Sequence, residues 1–442
     1  MPRTAALSAG AGLSEGTRRF ALCGFGIGMS SDDAALSAFR DQPISQLLVK
    51  VAARCNIDCS YCYWFRDAAV YEKPKLMGAE VLQRLLQRIE EHVGGHGLAD
   101  FPIVLHGGEP LLWGIENFRR MAEACKRISA RTGCEIPIAV TTNGLLIDDD
   151  WLDCFESQRI SVAISLDGPA HIHDIHRRTF QGTGTHAAVE RAARMLVTRD
   201  IGVSALAVCN PAYHPRQYVD FFADCGISYY DIMIPDATVD EKPPSIASFY
   251  NGLFDSWLEA NRSRPSVDIR IISDMISALL GNNSPTEGVG HKPIELCTVM
   301  TDGSVEAHDV LRIAGDGFTR TKFNIFEHAI DDVRNEPRWM AAREASIRLC
   351  DKCRQCKFMN ACGGGYLPHR FSKKNGYDNP SVYCDDLYSM FENMQSVLAS
   401  HLYVSRADGE RIAVRDAIAA EQTGPEQTAA EQIAAAQTAA AP

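Results

Sequence analysis

Six short β-branched runs alternate with longer amphipathic segments between Gln46 and Pro235, and this alternation limits the fold more than any other feature of the chain. Strand–helix units in series build a parallel sheet with crossover helices. The spacing predicts strands over Leu47–Ala52, Pro102–His106, Pro137–Thr142, Ser161–Leu166, Val203–Val208 and Tyr229–Ile234. Helices are expected near 79–93, 115–132, 148–157, 185–200 and 215–225. In the first of these Val81, Leu82, Leu85, Leu86 and Ile89 recur close to the helical period. The fold class is therefore α/β.

The unusual residues sit at the far ends of the strands, where parallel α/β folds place their active sites. After the first strand comes Cys55-Asn-Ile-Asp-Cys59-Ser-Tyr61-Cys62; later ends carry Gly107-Gly108-Glu109-Pro110, Thr142-Asn143-Gly144 and Ser165-Leu166-Asp167-Gly168. A [4Fe–4S] cluster takes four thiolates, so three on one short loop leave an iron open to a small chelating molecule. Zinc sites prefer paired CxxC ligands with a second pair elsewhere, and structural zinc stays the alternative for this loop alone. Read singly, Glu109 and Arg177 are ordinary surface ion-pair residues, and Gly-Gly, Asn-Gly and Asp-Gly-Pro are common turn sequences.

Length and charge exclude several function classes. The 442 residues suffice for two or three domains, and 46% hydrophobic with 23% charged is the composition of a globular chain. A formal net charge of -12 provides no footprint for DNA, RNA or an anionic bilayer, so neither nucleic acid nor membrane is an expected partner. No apolar run reaches about 18 residues. Fifteen cysteines, clustered at 55–62 and 350–384, fit metal ligation in a reducing compartment, and the expected location is cytoplasmic. The scattered Cys23, Cys125, Cys134, Cys154, Cys209 and Cys225 read as ordinary thiols. Arg18-Arg19 before a short apolar run resembles a twin-arginine signal but lacks an Ala-x-Ala site; a poorly ordered extension with Met29 as the start is the plainer expectation. The expected organisation is an extension over 1–45, a barrel over 46–235, a helical bridge over 236–290, a cysteine-rich module over 291–403 and a low-complexity tail over 404–442.

Taken in order, these motifs resemble those of the radical S-adenosylmethionine (SAM) enzymes, whose CxxxCxxC loop, GGEP turn and following strand ends match residues 46–235. The resemblance implies a partial (β/α)6 barrel. It implies a [4Fe–4S] cluster on Cys55, Cys59 and Cys62, with SAM chelated at the open iron. Cofactor contacts would come from Tyr61, Gly107, Gly108, Glu109, Asn143, Ser165, Asp167 and Arg177. On this resemblance Glu109 accepts from the methionine amine, Ser165 and Asp167 meet the ribose, and Arg177 meets the methionyl carboxylate, with Arg178 its neighbouring competitor. Reductive cleavage of SAM would then yield a 5′-deoxyadenosyl radical that abstracts hydrogen from unactivated carbon.

Cys353-x2-Cys356-x5-Cys362-Gly-Gly-Gly, with Cys384 further on, resembles the SPASM extension of peptide- and protein-modifying members. The resemblance implies one complete auxiliary [4Fe–4S] cluster on Cys353, Cys356, Cys362 and Cys384. Tyr366 and His308 stand at two positions where the pattern has cysteines, so an inner site is expected to be lost or altered, with Cys297, His308 and Cys350 as its remaining ligands. A zinc ribbon is the alternative for 350–384.

The segments around Cys59 and Gly363–Cys384 resemble maturases of ribosomally made peptides that form cyclophane crosslinks. The implied partners are a precursor peptide and an electron donor such as flavodoxin or ferredoxin. A thioether-forming maturase and a formylglycine-generating sulfatase maturase are the enzymatic alternatives; an iron–sulfur electron carrier or zinc-binding interaction protein is the non-enzymatic one. Asp236, Tyr366 and Asp231 are substrate-side candidates by location alone, and His106 and His369 remain undecided between structural and functional roles.

Overall fold

The computed structural model describes residues 42–263, 267–282, 286–291, 294–401, 403–405 and 411–413. The expectations about residues 1–41, including Arg18-Arg19, Cys23 and Met29, lie outside them. All six expected strands form, as β1 Gln46–Ala52, β2 Ile103–Gly107, β3 Ile138–Thr142, β4 Ser161–Ser165, β5 Val203–Val208 and β6 Tyr229–Met233. They pair in parallel in that order. In β2, β3 and β4 buried residues alternate with more exposed ones, as the two-residue strand period demands. Ile103, Leu105, Val140, Val162 and Ile164 join the helices in one core, while the alternate positions, such as His106, Thr141 and Ser165, form the less buried face.

The crossover helices are α1 Ala79–His96, α2 Ile115–Thr132, α3 Asp149–Gln158, α4 His186–Thr198 and α5 Arg216–Cys225. In α1 the buried residues Leu82, Leu85, Ile89 and Val93 repeat every three to four positions. The helix stops at Gly97, whose φ of 61° is the left-handed C-cap conformation that costs glycine little.

The sheet does not end where the barrel was expected to end. Asp268–Ile269 (β7), inside the segment expected to be helical, pairs with β6. At the other edge Leu296–Val299 (β8) pairs in parallel with β1 and turns back antiparallel into Val305–Glu306 (β9). One nine-stranded sheet, in the order β9-β8-β1-β2-β3-β4-β5-β6-β7, thus crosses the barrel, bridge and cysteine-rich segments. In the tail, read from sequence as low complexity, Tyr403–Ser405 and Arg411–Ala413 form a short antiparallel pair. No described helix is long and apolar enough to cross a membrane.

Candidate active site at the carboxyl ends of the strands

Cys55, Cys59 and Cys62 follow β1 directly, are half-buried and form no disulfide. The loop is tied down by an antiparallel bridge in which Cys59 pairs with Arg177 and Asp58 with Arg178. The Asn143 amide donates to Asn56 Oδ1 at 2.7 Å and to Cys55 Sγ at 3.6 Å. Burial pushes the Cys55 thiol up to about 12, and the neighbouring carboxylate and thiols add to it. Burial likewise raises Cys59 to about 11, with Arg177 opposing. Three thiols gathered where ionisation is costly fit a cationic centre, which reverses that cost by binding thiolates.

Gly107 and Gly108 admit the cysteine loop: a Cβ on Gly107 would lie 2.0 Å from the Ala52 carbonyl oxygen, and one on Gly108 2.3 Å from that of Arg54. The Gly108 amide donates to Ala52 O at 2.8 Å and the Glu109 amide to Arg54 O at 2.9 Å. Glu109 itself is fully buried and accepts from the Leu111 amide, the Thr142 hydroxyl and the Asn143 amide at 2.7–2.9 Å. Burial raises its carboxyl to about 7 against those three donors. A carboxylate offers about four acceptor positions, so one is left for an incoming cation.

Asp167 likewise works within the chain. Its carboxylate accepts from the Tyr61 hydroxyl, from Arg177 Nε at 3.1 Å and from the Val208 amide at 3.0 Å. The Arg177 guanidinium also lies 5.4 Å from the Tyr61 ring centre. Tyr61, Asp167 and Arg177 therefore form one buried cluster beside Cys59, and Ser165 stands half-buried at the end of β4, in register with Leu206. Arg178 is exposed and donates to the Asp174 carbonyl.

A second buried network went unrecognised in the sequence. Lys50, fully buried on β1, lies 2.5 Å from Asp309, 3.2 Å from Tyr63 Oη and 3.2 Å from His106 Nδ1; Tyr63 donates to Asp309 at 2.6 Å. The available signal was a lysine inside an otherwise apolar strand. His106 is thus a partner within this network. His308 pairs with Glu287 at 2.5 Å, and although burial opposes its charge, Glu287 and Asp309 raise it to about 10. Tyr366 faces Asp236, Glu287 and Asp309 and is held well above the usual phenol range, chiefly by burial. Asp236 is raised to about 6 by burial, against Arg66. Asp236 and Tyr366 therefore come together near the cysteine loop. Asp231 does not: Arg270 binds its carboxylate. His369 packs between the rings of Tyr366 and Tyr383.

In the cysteine-rich segment, Cys353, Cys356, Cys362 and Cys384 line one cavity of about 240 Å³ with Phe358, Tyr388 and Phe391. Four thiols on one cavity fit a closed metal or iron–sulfur site. The inner ligand set is not gathered: Cys297 is fully buried in β8 with Asp331 as its charged neighbour, His308 pairs with Glu287, and the Cys350 thiol is in hydrogen-bond contact with Cys353. Tyr63 of the Lys50–Asp309–Tyr63 network has both Cys62 of the loop and Tyr366 of this segment as neighbours.

Comparison with known proteins places this geometry. The Radical SAM superfamily matches residues 49–225. The chain is 26% identical over 366 residues to a cysteine-type anaerobic sulfatase-maturating enzyme of Clostridium perfringens, covering 79% of this chain and 96% of the relative. It is 23% identical over 390 residues to a serine-type anaerobic sulfatase-maturating enzyme of Bacteroides thetaiotaomicron, covering 80% and 90%. Among solved structures it is similar to native anSMEcpe with bound AdoMet and Kp18Cys peptide, at a TM-score of 0.70 and 25% identity over 80% of this chain and 97% of that one. The fold is also that of Streptococcus suis SuiB bound to precursor peptide SuiA, at a TM-score of 0.56 and 15% identity over 80% and 79%. With its three-cysteine loop, parallel barrel and buried Glu109 at the strand ends, the chain is a radical SAM enzyme, of a family that works with a [4Fe–4S] cluster and S-adenosylmethionine.

Proposed function

We propose that the chain is a radical SAM maturase of a ribosomally made peptide, forming a carbon–carbon cyclophane crosslink between a side-chain Cβ and a nearby aromatic ring. The observation that supports the reading is that Asp236, Tyr366 and Asp309 are charged neighbours of one another, joined to Cys62 through Tyr63. When bound, the first cluster and SAM supply the hydrogen-abstracting power. The chain's own residues do the rest. Cys55, Cys59 and Cys62 hold the cluster; Glu109 keeps one acceptor position for the methionine amine; Asp167 holds Tyr61 and Arg177 against the loop. Asp236, poised near neutrality by burial, accepts a proton from substrate.

Crosslinking removes one hydrogen at Cβ and one from the ring; Cys353, Cys356, Cys362 and Cys384 would hold an auxiliary cluster, which would supply an acceptor for the surplus electron. A donor of the flavodoxin or ferredoxin class supplies the reducing electron. The similarity to sulfatase-maturating enzymes favours a second reading, oxidation of a Cys or Ser to formylglycine on a sulfatase.

The test is anaerobic incubation of reconstituted protein with SAM and reductant, then co-expression with small open reading frames encoded nearby. Wild type releases 5′-deoxyadenosine and Cys59→Ala reduces this at least about 100-fold; equal, negligible release from both would leave an electron carrier or zinc protein. Peptide mass should fall by two hydrogens per crosslink. Because serine oxidised to formylglycine loses the same two, a hydrazide probe decides: labelling of the product supports formylglycine, and an unlabelled product with fragmentation blocked across a ring supports the crosslink.

A further inference from the structure

Away from the strand ends, α1 presents His92 and His96 one turn apart, and Asp331 faces both from the short helical turn Ile330–Asn335. One ligand atom from each lies within 4.8 Å of the others. His96 Nε2 is 2.6 Å and His92 Nδ1 3.8 Å from the Asp331 carboxylate. We propose that His92, His96 and Asp331 form a structural zinc site at the closed end of the barrel.

The tautomer of His92 carries the argument. Its side chain is 3% exposed, and Nε2 lies 2.7 Å from the Ile44 carbonyl oxygen, which only accepts. Nε2 therefore holds the proton and Nδ1 presents a lone pair. That lone pair faces a carboxylate oxygen at a distance too long for a hydrogen bond. Two acceptors held face to face call for a cation between them. A metal-binding imidazole whose other nitrogen donates to a backbone carbonyl is the usual supporting arrangement.

The second carboxylate oxygen faces the same cluster. Asp331 Oδ2, buried and without a well-aligned hydrogen bond, lies 2.6 Å from His96 Nε2 and 3.2 Å from Arg334 Nη2, while Oδ1 accepts from the Ile44 amide at 3.0 Å. Two imidazoles and one carboxylate suit zinc, whose bonds to such ligands are about 2.0–2.2 Å. His92 also packs on Phe101, just before β2, and Ile44 lies just before β1. The site is thus at the opposite end of the strands from the cysteine loop. Zinc there would join α1, the entry to β1 and the 330–335 turn.

The test uses full-length protein with its iron–sulfur clusters reconstituted, so that the cluster thiolates are occupied, and zinc chloride as the probe. Wild type and His96→Ala are compared after dialysis, His96 being partly exposed and so tolerant of truncation. The site requires about one more zinc per chain in wild type, and a zinc-dependent rise in Tm of at least about 2 °C that His96→Ala and Asp331→Asn both lose. Equal zinc content and equal Tm response in all three proteins would reduce the cluster to a His–Asp ion pair and overturn the proposal.

Discussion

Glu109 shows how one residue serves the fold and the site together. Burial raises its carboxyl from 4.5 to about 7 even though three donors oppose the shift. The folded chain therefore binds this proton more tightly than the unfolded chain does. Its contribution to stability is complete below about pH 4.5 and is lost as pH rises through about 7. The gap corresponds to about 3 kcal/mol. In cluster-free protein, urea midpoints should fall across that window for wild type and stay flatter for Glu109→Gln, which cannot ionise; parallel curves would show that Glu109 is not the group responsible. The sequence made this residue visible through its Gly-Gly-Glu-Pro turn. Two of its three internal donors were not visible, because Thr142 and Asn143 reach it from 33 and 34 residues away.

Among elements, the contact that shapes the site is between the turn after β2 and the loop after β1. Parallel pairing sets these strands side by side, with Ala52 opposite Gly107, and the two glycines let the backbones touch. In Gly108→Ala the new methyl meets the Arg54 backbone at 2.3 Å, and backbone cannot yield as a side-chain tip can. We expect a loss of about 1–3 kcal/mol in unfolding free energy and a lower iron content per chain after reconstitution; wild-type iron content would mean the loop tolerates displacement. The strands and helices were legible because apolar periodicity is local. The pairing of β8 with β1 was not, since Leu296 and its partner Gln46 are 250 positions apart in the sequence and only packing brings them together.

For the whole molecule, the Lys50–Asp309–Tyr63 network joins the first strand to the cysteine-rich segment through groups fully or nearly fully removed from water. Buried ion pairs contribute little net stability, yet removing one partner is costly, so this network specifies how the two parts meet. With Tyr366 and the His308–Glu287 pair beside it, no second auxiliary site has its thiolates gathered among the described residues. Anaerobically reconstituted protein should therefore carry about eight irons per chain, two clusters of four; about twelve would show that the network opens to admit a third. The amino-acid sequence by itself determined the α/β alternation, the three-cysteine loop and the four later cysteines, since these depend on local period and spacing. Tertiary structure alone decided that one sheet runs through all three segments, that Asp167 and Gly108 serve the chain's own loop, and that His92, His96 and Asp331 meet. Those outcomes depend on close approach between residues far apart in sequence, where burial sets both the charge a group can hold and the space it can fill.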